Sequence, residues 1–192
     1  MKLENSFQVS APRKAAWELL LDVPRVIPCM PGAELTETVD NANWKATMSV
    51  KLGPISLAFA TDVARQEVDE ADSRVVLAAK AKEMRGRGGA QATIESRLSE
   101  SDGRTQIDIV TDLAMSGAVA QYGRGIVQDV SAQLVKQFAE CLELQLAGTA
   151  EDAEAAVEQA AKPVFGGALG AAAIFRSILR ALARLLGRGP QS

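Results

Sequence analysis

Residues 44–52, WKATMSVKL, alternate strictly: Trp44, Ala46, Met48, Val50 and Leu52 fall on one face, and Lys45, Thr47, Ser49 and Lys51 on the other. A repeat of two marks a half-buried strand, because successive side chains of an extended chain point to opposite faces. Gly53-Pro54 interrupts the run, and ISLAFATDV (55–63) resumes it with Ile55, Leu57, Phe59, Thr61 and Val63 together. Further strands are predicted at VVLAAKAK (75–82), GAQATIESRL (89–98) and TQIDIVTDLAM (105–115), the last two joined by the turn sequence SDG. A short strand over 3–9 opens the chain.

Two segments have helical spacing instead. APRKAAWELLLD (11–22) places Pro12 in a first turn, where its missing N–H costs nothing, with Trp17, Leu20 and Leu21 on one side. Next, VPRVIPCMPGAEL holds Pro24, Pro28, Pro31 and Gly32, which block any long helix. After Gly117 a longer pattern runs to about Leu146. Its apolar face carries Ile126, Val127, Val130, Leu134, Phe138 and Cys141, opposite Gln128, Lys136, Glu140 and Glu143. Strand, helix, a run of antiparallel strands and one long helix predict an α+β domain, its curved sheet gripping the last helix.

The alternation also assigns many small residues to the inner face: Ala46, Thr61, Ala79, Ala81, Ala90, Ala92 and Thr111. Protein interiors fill to about 0.74 of their volume, so something must meet these short side chains. Either the helix settles closer to the sheet, with Gly123 on its inner face, or a cavity holds an apolar ligand. In the second case the candidate ligand-binding residues are Met48, Phe59, Ala92, Leu113, Met115, Tyr122, Ile126 and Val130. Tyr122 is the sole phenol, near the helix N-terminus, where it could serve structure or donate to a ligand carbonyl.

Composition narrows the chemistry. The chain has no histidine, which removes a His general base, a Ser-His-Asp or Cys-His arrangement and a His-ligated metal. No Gly-rich phosphate loop follows a strand, so no catalytic residue, metal site or covalent cofactor is predicted. A net charge of −3 argues against a general nucleic-acid binder. The basic run KAKEMRGRGG (80–89) reads as a solvated turn or as a docking surface for an acidic partner. It lacks the interleaved aromatics of an RNA site. Cys29 and Cys141 are too few for a disulfide framework, and no ligand spacing connects them. The N-terminus lacks the basic and apolar regions of a secretory signal, which places the chain in the cytoplasm.

Beyond residue 146 the character changes. Residues 147–162 form an acidic, Ala-rich linker, and 163–192 a tail ending in IFRSILRALARLLGR. On a helix, Phe175, Ile178, Leu179, Leu182, Leu185 and Leu186 cluster, and Arg176, Arg180, Arg184 and Arg188 occupy the other side. That pattern suits a helix lying in a membrane interface, with docking in a partner's groove or on its own domain as the alternatives. It does not suit a span, which needs about 20 apolar residues.

FQVSAPRKAAWELLLDVPRVIPCMPGAEL, VKLGPISLAF and SGAVAQYGRGIVQDVSAQL resemble the carbon monoxide dehydrogenase G-subunit family, of the START-like (SRPBCC) helix-grip superfamily. The resemblance covers about residues 1–146. It implies a seven-stranded curved sheet around a long helix, a deep pocket for a hydrophobic ligand, and association with a molybdenum-containing CO dehydrogenase-type enzyme that is attached to the membrane. No catalytic set is carried over, because the shared positions are Gly, Pro and apolar. These expectations combine into a carrier: a respiratory quinone of the menaquinone type would be moved between the inner face of the cell membrane and the dehydrogenase. The alternatives are a ligand-free adaptor that recruits that enzyme to the membrane, and an enzyme of the cyclase or dehydratase kind.

Overall fold

The computed structural model describes residues 1–52 and 55–148, with the backbone alone at Leu52. The linker over 149–162, the tail and the Gly53-Pro54 break lie outside the described residues. The chain runs through β1 (Lys2–Val9), α1 (Arg13–Leu21), α2 (Val23–Val26), a 3-10 turn (Ile27–Cys29), β2 (Ala33–Thr38), β3 (Asn43–Leu52), β4 (Ile55–Asp69), β5 (Arg74–Glu83), β6 (Gly88–Ser101), β7 (Arg104–Gly117), a second 3-10 turn (Ala118–Gln121) and α3 (Arg124–Ala147). The seven strands form one antiparallel sheet in the order β1-β7-β6-β5-β4-β3-β2. All strands but one were legible as alternation. β2, AELTET, lies in the stretch read as a Pro-rich loop, and only Leu35 and Ala33 give it a buried side.

Local chemistry explains the joints. Asp102 and Gly103 both take positive φ, 54° and 72°, the geometry a two-residue hairpin turn requires between right-twisted strands. Pro12 stands just before α1, which buries Ala16 and Leu19. That face is rotated from the expected Trp17–Leu20–Leu21 side; Trp17 and Leu20 pack at its margin. Register shifts at Leu35/Glu37 and Arg65/Glu67 add bulges that bend β2 and β4. At the second bulge Arg65 donates to the carbonyls of Leu21 and Asn41 and covers the Trp44 ring, tying the bend to α1.

The larger core lies at one end of the domain. Val9, Ala16, Leu19, Cys29, Leu98, Ile107, Phe138, Cys141 and Leu142 are buried together there. Phe7 meets Phe138 edge-on, with centroids 6.1 Å apart, a contact that contributes about 0.5–1.5 kcal/mol. Cys29 and Cys141, read as too few for a disulfide framework, form a disulfide across 112 residues and pin the 3-10 turn to α3. The pairing depends on α3 returning to the α2 region, which residue spacing alone does not reveal. α3 is further held by Asn5 Nδ2 donating to Ser131 Oγ, and by the Ser10 amide donating to Glu143.

Candidate functional site

Strand register places the small residues in two adjoining rows across the concave face. One row runs Trp44, Val63, Ala79, Ala92, Leu113, and its neighbour Ala46, Thr61, Ala81, Ala90, Met115. At one flank Leu57, Phe59 and Val119 form a second, smaller core, against which Met48, Val50, Ala81, Met115 and Tyr122 pack. The larger core lies at the other flank. Between the two clusters Val63, Ala79, Ala90, Ala92, Thr111 and Leu113 are only half-buried, although they sit on inner strands beneath the helix. Val127, Val130, Ser131 and Leu134, on the first half of α3, are half-buried too. A packed sheet–helix contact would leave these positions dry and closed. Instead the core is split, and the interval is floored by methyl groups.

α3 makes its close approach to β1, the edge strand, with smaller contacts at α1 and the first 3-10 turn. The expectation that Gly123 would let α3 settle onto the sheet does not hold. Gly123 precedes the helix, and a Cβ built there meets no atom within 4 Å. Nor does Ile126 face the interior. It is 49% exposed, on the first turn of α3. Of the other predicted lining residues, Phe59, Met48, Met115 and Tyr122 belong to the smaller cluster, and Ala92, Leu113 and Val130 border the interval. The arginine-edged tail residues lie outside the described residues.

Sequence reasoning missed one inward polar group. Glu83 pairs in register with Phe59 and is buried, 5% exposed. Its Oε1 accepts from Arg87 Nη2 at 2.7 Å, and its Oε2 from the amides of Arg85 and Arg87 at 2.8 and 3.1 Å. These bonds, Arg87 first, push its carboxyl down to about 2. Glu83 is therefore a fixed anion at neutral pH with both oxygens occupied, unsuited to moving a proton. Its position after KAK, where the alternation of β5 continues for one more residue, was the available signal. Thr61 is the contrasting case. Its Oγ1 is buried in the middle of the alanine rows without a hydrogen-bond partner.

The RGRGG segment serves backbone packing. Gly88 and Gly117 face each other across β6 and β7, both at positive φ; a Cβ on Gly88 would lie 2.0 Å from the Ser116 carbonyl oxygen. A separate open groove of about 450 Å³ lies between Gln8–Ser10, Arg104 and the last turns of α3, lined in part by Glu140 and Glu143. It includes none of the predicted residues. Among the described residues no helix is long and apolar enough to cross a membrane.

The family described as the G-subunit of carbon monoxide dehydrogenase (CoxG) matches this chain over residues 6–147. No curated protein sequence matches it. A conserved protein from Geobacillus kaustophilus is similar in structure, with a TM-score of 0.68 at 17% identity, over 77% of this chain and 95% of that one. A START superfamily protein from Mycobacterium smegmatis aligns with a TM-score of 0.53 at 12% identity, over 76% and 97%. Ara h 8.0201 aligns with a TM-score of 0.54 at 15% identity, over 78% and 99%. At these identities the likeness establishes the START-like helix-grip fold, in accord with the expected architecture.

Proposed function

The chain belongs to the carbon monoxide dehydrogenase G-subunit family, CoxG, and on that footing we propose that its domain carries a lipophilic small molecule between the membrane and a molybdenum-containing CO dehydrogenase-type enzyme. The ligand is an isoprenoid quinone of the menaquinone type. One observation carries this reading: a band of alanines on inner strands, left half-open between two packed clusters. Water against methyl-lined walls gains little, whereas an apolar guest removes both surfaces from solvent, a gain of about 25 cal/mol for each Å² covered. The aliphatic side chains of the two rows accept the ring and the first isoprene units.

The tail supplies the membrane end of the cycle. Each of its four arginines contributes up to about 1 kcal/mol near an anionic leaflet, which gives attachment that reverses. The protein then works at the inner face of the cell membrane. There the Cys29–Cys141 link is shielded from cytoplasmic reductants by its own burial, at 0% and 3% exposure. Catalysis does not enter this account, because the one buried inward carboxylate described, Glu83, is already saturated by Arg87 and two amides. A ligand-free adaptor would leave the alanine band without a purpose.

Tryptophan fluorescence tests the proposal. Trp44 stands at the end of the cross-strand row that contains Ala92, and a bound quinone quenches indole emission. Titration of the full chain with a short-tailed menaquinone analogue should quench emission saturably at one site. Unsaturable, collisional quenching would refute it.

A further inference from the structure

The end of the domain beside the smaller core is built from three chain segments that touch. The Met84 amide donates to Ala58, Arg87 Nη2 donates to the Ser56 carbonyl at 2.8 Å, and the Val119 amide donates to Arg87. Residues 49–58, 80–91 and 114–129 together contain Lys51, Lys80, Lys82, Arg85, Arg87 and Arg124, against two carboxylates, Glu83 and Asp129, and Lys80 faces Asp62 across β4 and β5. Glu83 is buried and paired with Arg87. A chain of net charge −3 thus presents a locally cationic end. At the same end three large apolar side chains are held in water: Ile55 at the start of β4, Met84 at the tip of the β5–β6 turn, 65% exposed, and Ile126 on the first turn of α3.

We propose that this end is a second membrane-contacting surface, separate from the tail, which seats the domain on anionic lipid by the end that carries the smaller core. The proposal rests on the carrier reading and adds an orientation to it. A lipid surface fits better than an acidic protein, because the apolar tips stand singly on different segments and form no groove for a helix or strand. Single apolar side chains ringed by cations insert into the headgroup boundary while lysine and arginine meet phosphates. A tail alone fixes the domain near the bilayer without choosing which end faces it. The surface makes that choice.

The test uses the full chain with a reporter indole at either end. Met84→Trp places it on the proposed surface, and Val39→Trp on the β2–β3 turn, where Val39 is 50% exposed. Both positions are exposed, and unchanged thermal melts would certify the fold. Each variant is mixed with vesicles of phosphatidylglycerol and bromine-labelled phosphatidylcholine, and the wild-type emission from Trp17 and Trp44 is subtracted. The Met84→Trp indole is expected to lose most of its emission and the Val39→Trp indole to keep its own. Lys82→Glu with Arg85→Glu in the Met84→Trp chain should restore emission while the tail keeps the protein on the vesicles. Equal quenching at the two ends, or none in a co-sedimenting chain, would overturn the orientation and leave tail attachment and ligand binding standing. Quenching that survives the charge reversal would overturn the lipid assignment of the cations. So would an unquenched chain captured by polyglutamate through the same two residues, which would reassign the face to an acidic protein. A chain that does not sediment with vesicles overturns the surface and the tail together.

Discussion

Replacing Ala92 by phenylalanine asks whether the interval between the two clusters is empty. Ala92 sits between Ala79 and Leu113 in its row, half-buried, with a second alanine row alongside. In a filled interior, an added ring forces neighbouring side chains off their rotamers at a cost of about 1–3 kcal/mol. For a domain of this size that lowers Tm by about 2–4 °C per kcal/mol, so a fall of several degrees is the outcome of a tight core. In a hollow the ring finds space and buries its own surface, which is worth about 1.5–3 kcal/mol when complete. The expected outcome is therefore an unchanged or raised Tm by calorimetry, together with loss of quinone-analogue uptake, because the ring occupies the ligand's volume. Binding to membranes should persist. A Tm lowered by several degrees with uptake intact would show that the helix already packs on these strands, and the reasoning would fail.

Other expectations follow from particular contacts. Glu83, pushed down to about 2 by Arg87 and two amides, lies below the 4.5 of a free carboxyl, so its contribution to stability is complete above about pH 4.5 and is lost as pH falls through about 2. Urea titrations across that window should show a flatter acid limb in Glu83→Gln than in the wild type; parallel limbs would contradict the pairing. Gly88→Ala should be destabilising by well over the about 1–2 kcal/mol that a left-handed backbone costs, since its Cβ would meet the Ser116 carbonyl at 2.0 Å. Gly86→Ala, with no atom within 4 Å, should cost only the backbone term, and equal losses would refute the contrast. Removing the Cys29–Cys141 link should lower stability by about 2–5 kcal/mol, read as a urea midpoint that drops with reductant. Labelling two free thiols in the denatured, unreduced chain would contradict it. Exchanging Arg176, Arg180, Arg184 and Arg188 for glutamine should weaken partition into anionic vesicles by up to about a thousandfold, the equivalent of about 4 kcal/mol. Unchanged partition would assign attachment elsewhere.

Alternation made β3 through β7 legible because each strand buries one face, so a one-residue error would expose every apolar side chain. The rows of small residues were visible for the same reason, and register aligns them within rows that cross five strands. β2 was not legible, because an edge strand with one half-covered side has little periodicity to show. The α3 stripe was read as uniform, yet Phe138, Cys141 and Leu142 are buried while Ile126 is in water. Helical period gives a face, and only tertiary contact says which turns of that face are covered. Glu83 and the disulfide escaped for a related reason: an inward carboxylate or a lone cysteine pair acquires meaning from partners that sequence does not place nearby.

Solvent extraction of the full chain, purified from its own cells without detergent and followed by mass spectrometry, tests the central claim most directly. One isoprenoid quinone per chain is predicted from the wild type and none from Ala92→Phe. A wild-type chain that carries no lipophilic molecule, and takes up none from quinone-loaded vesicles, would contradict it.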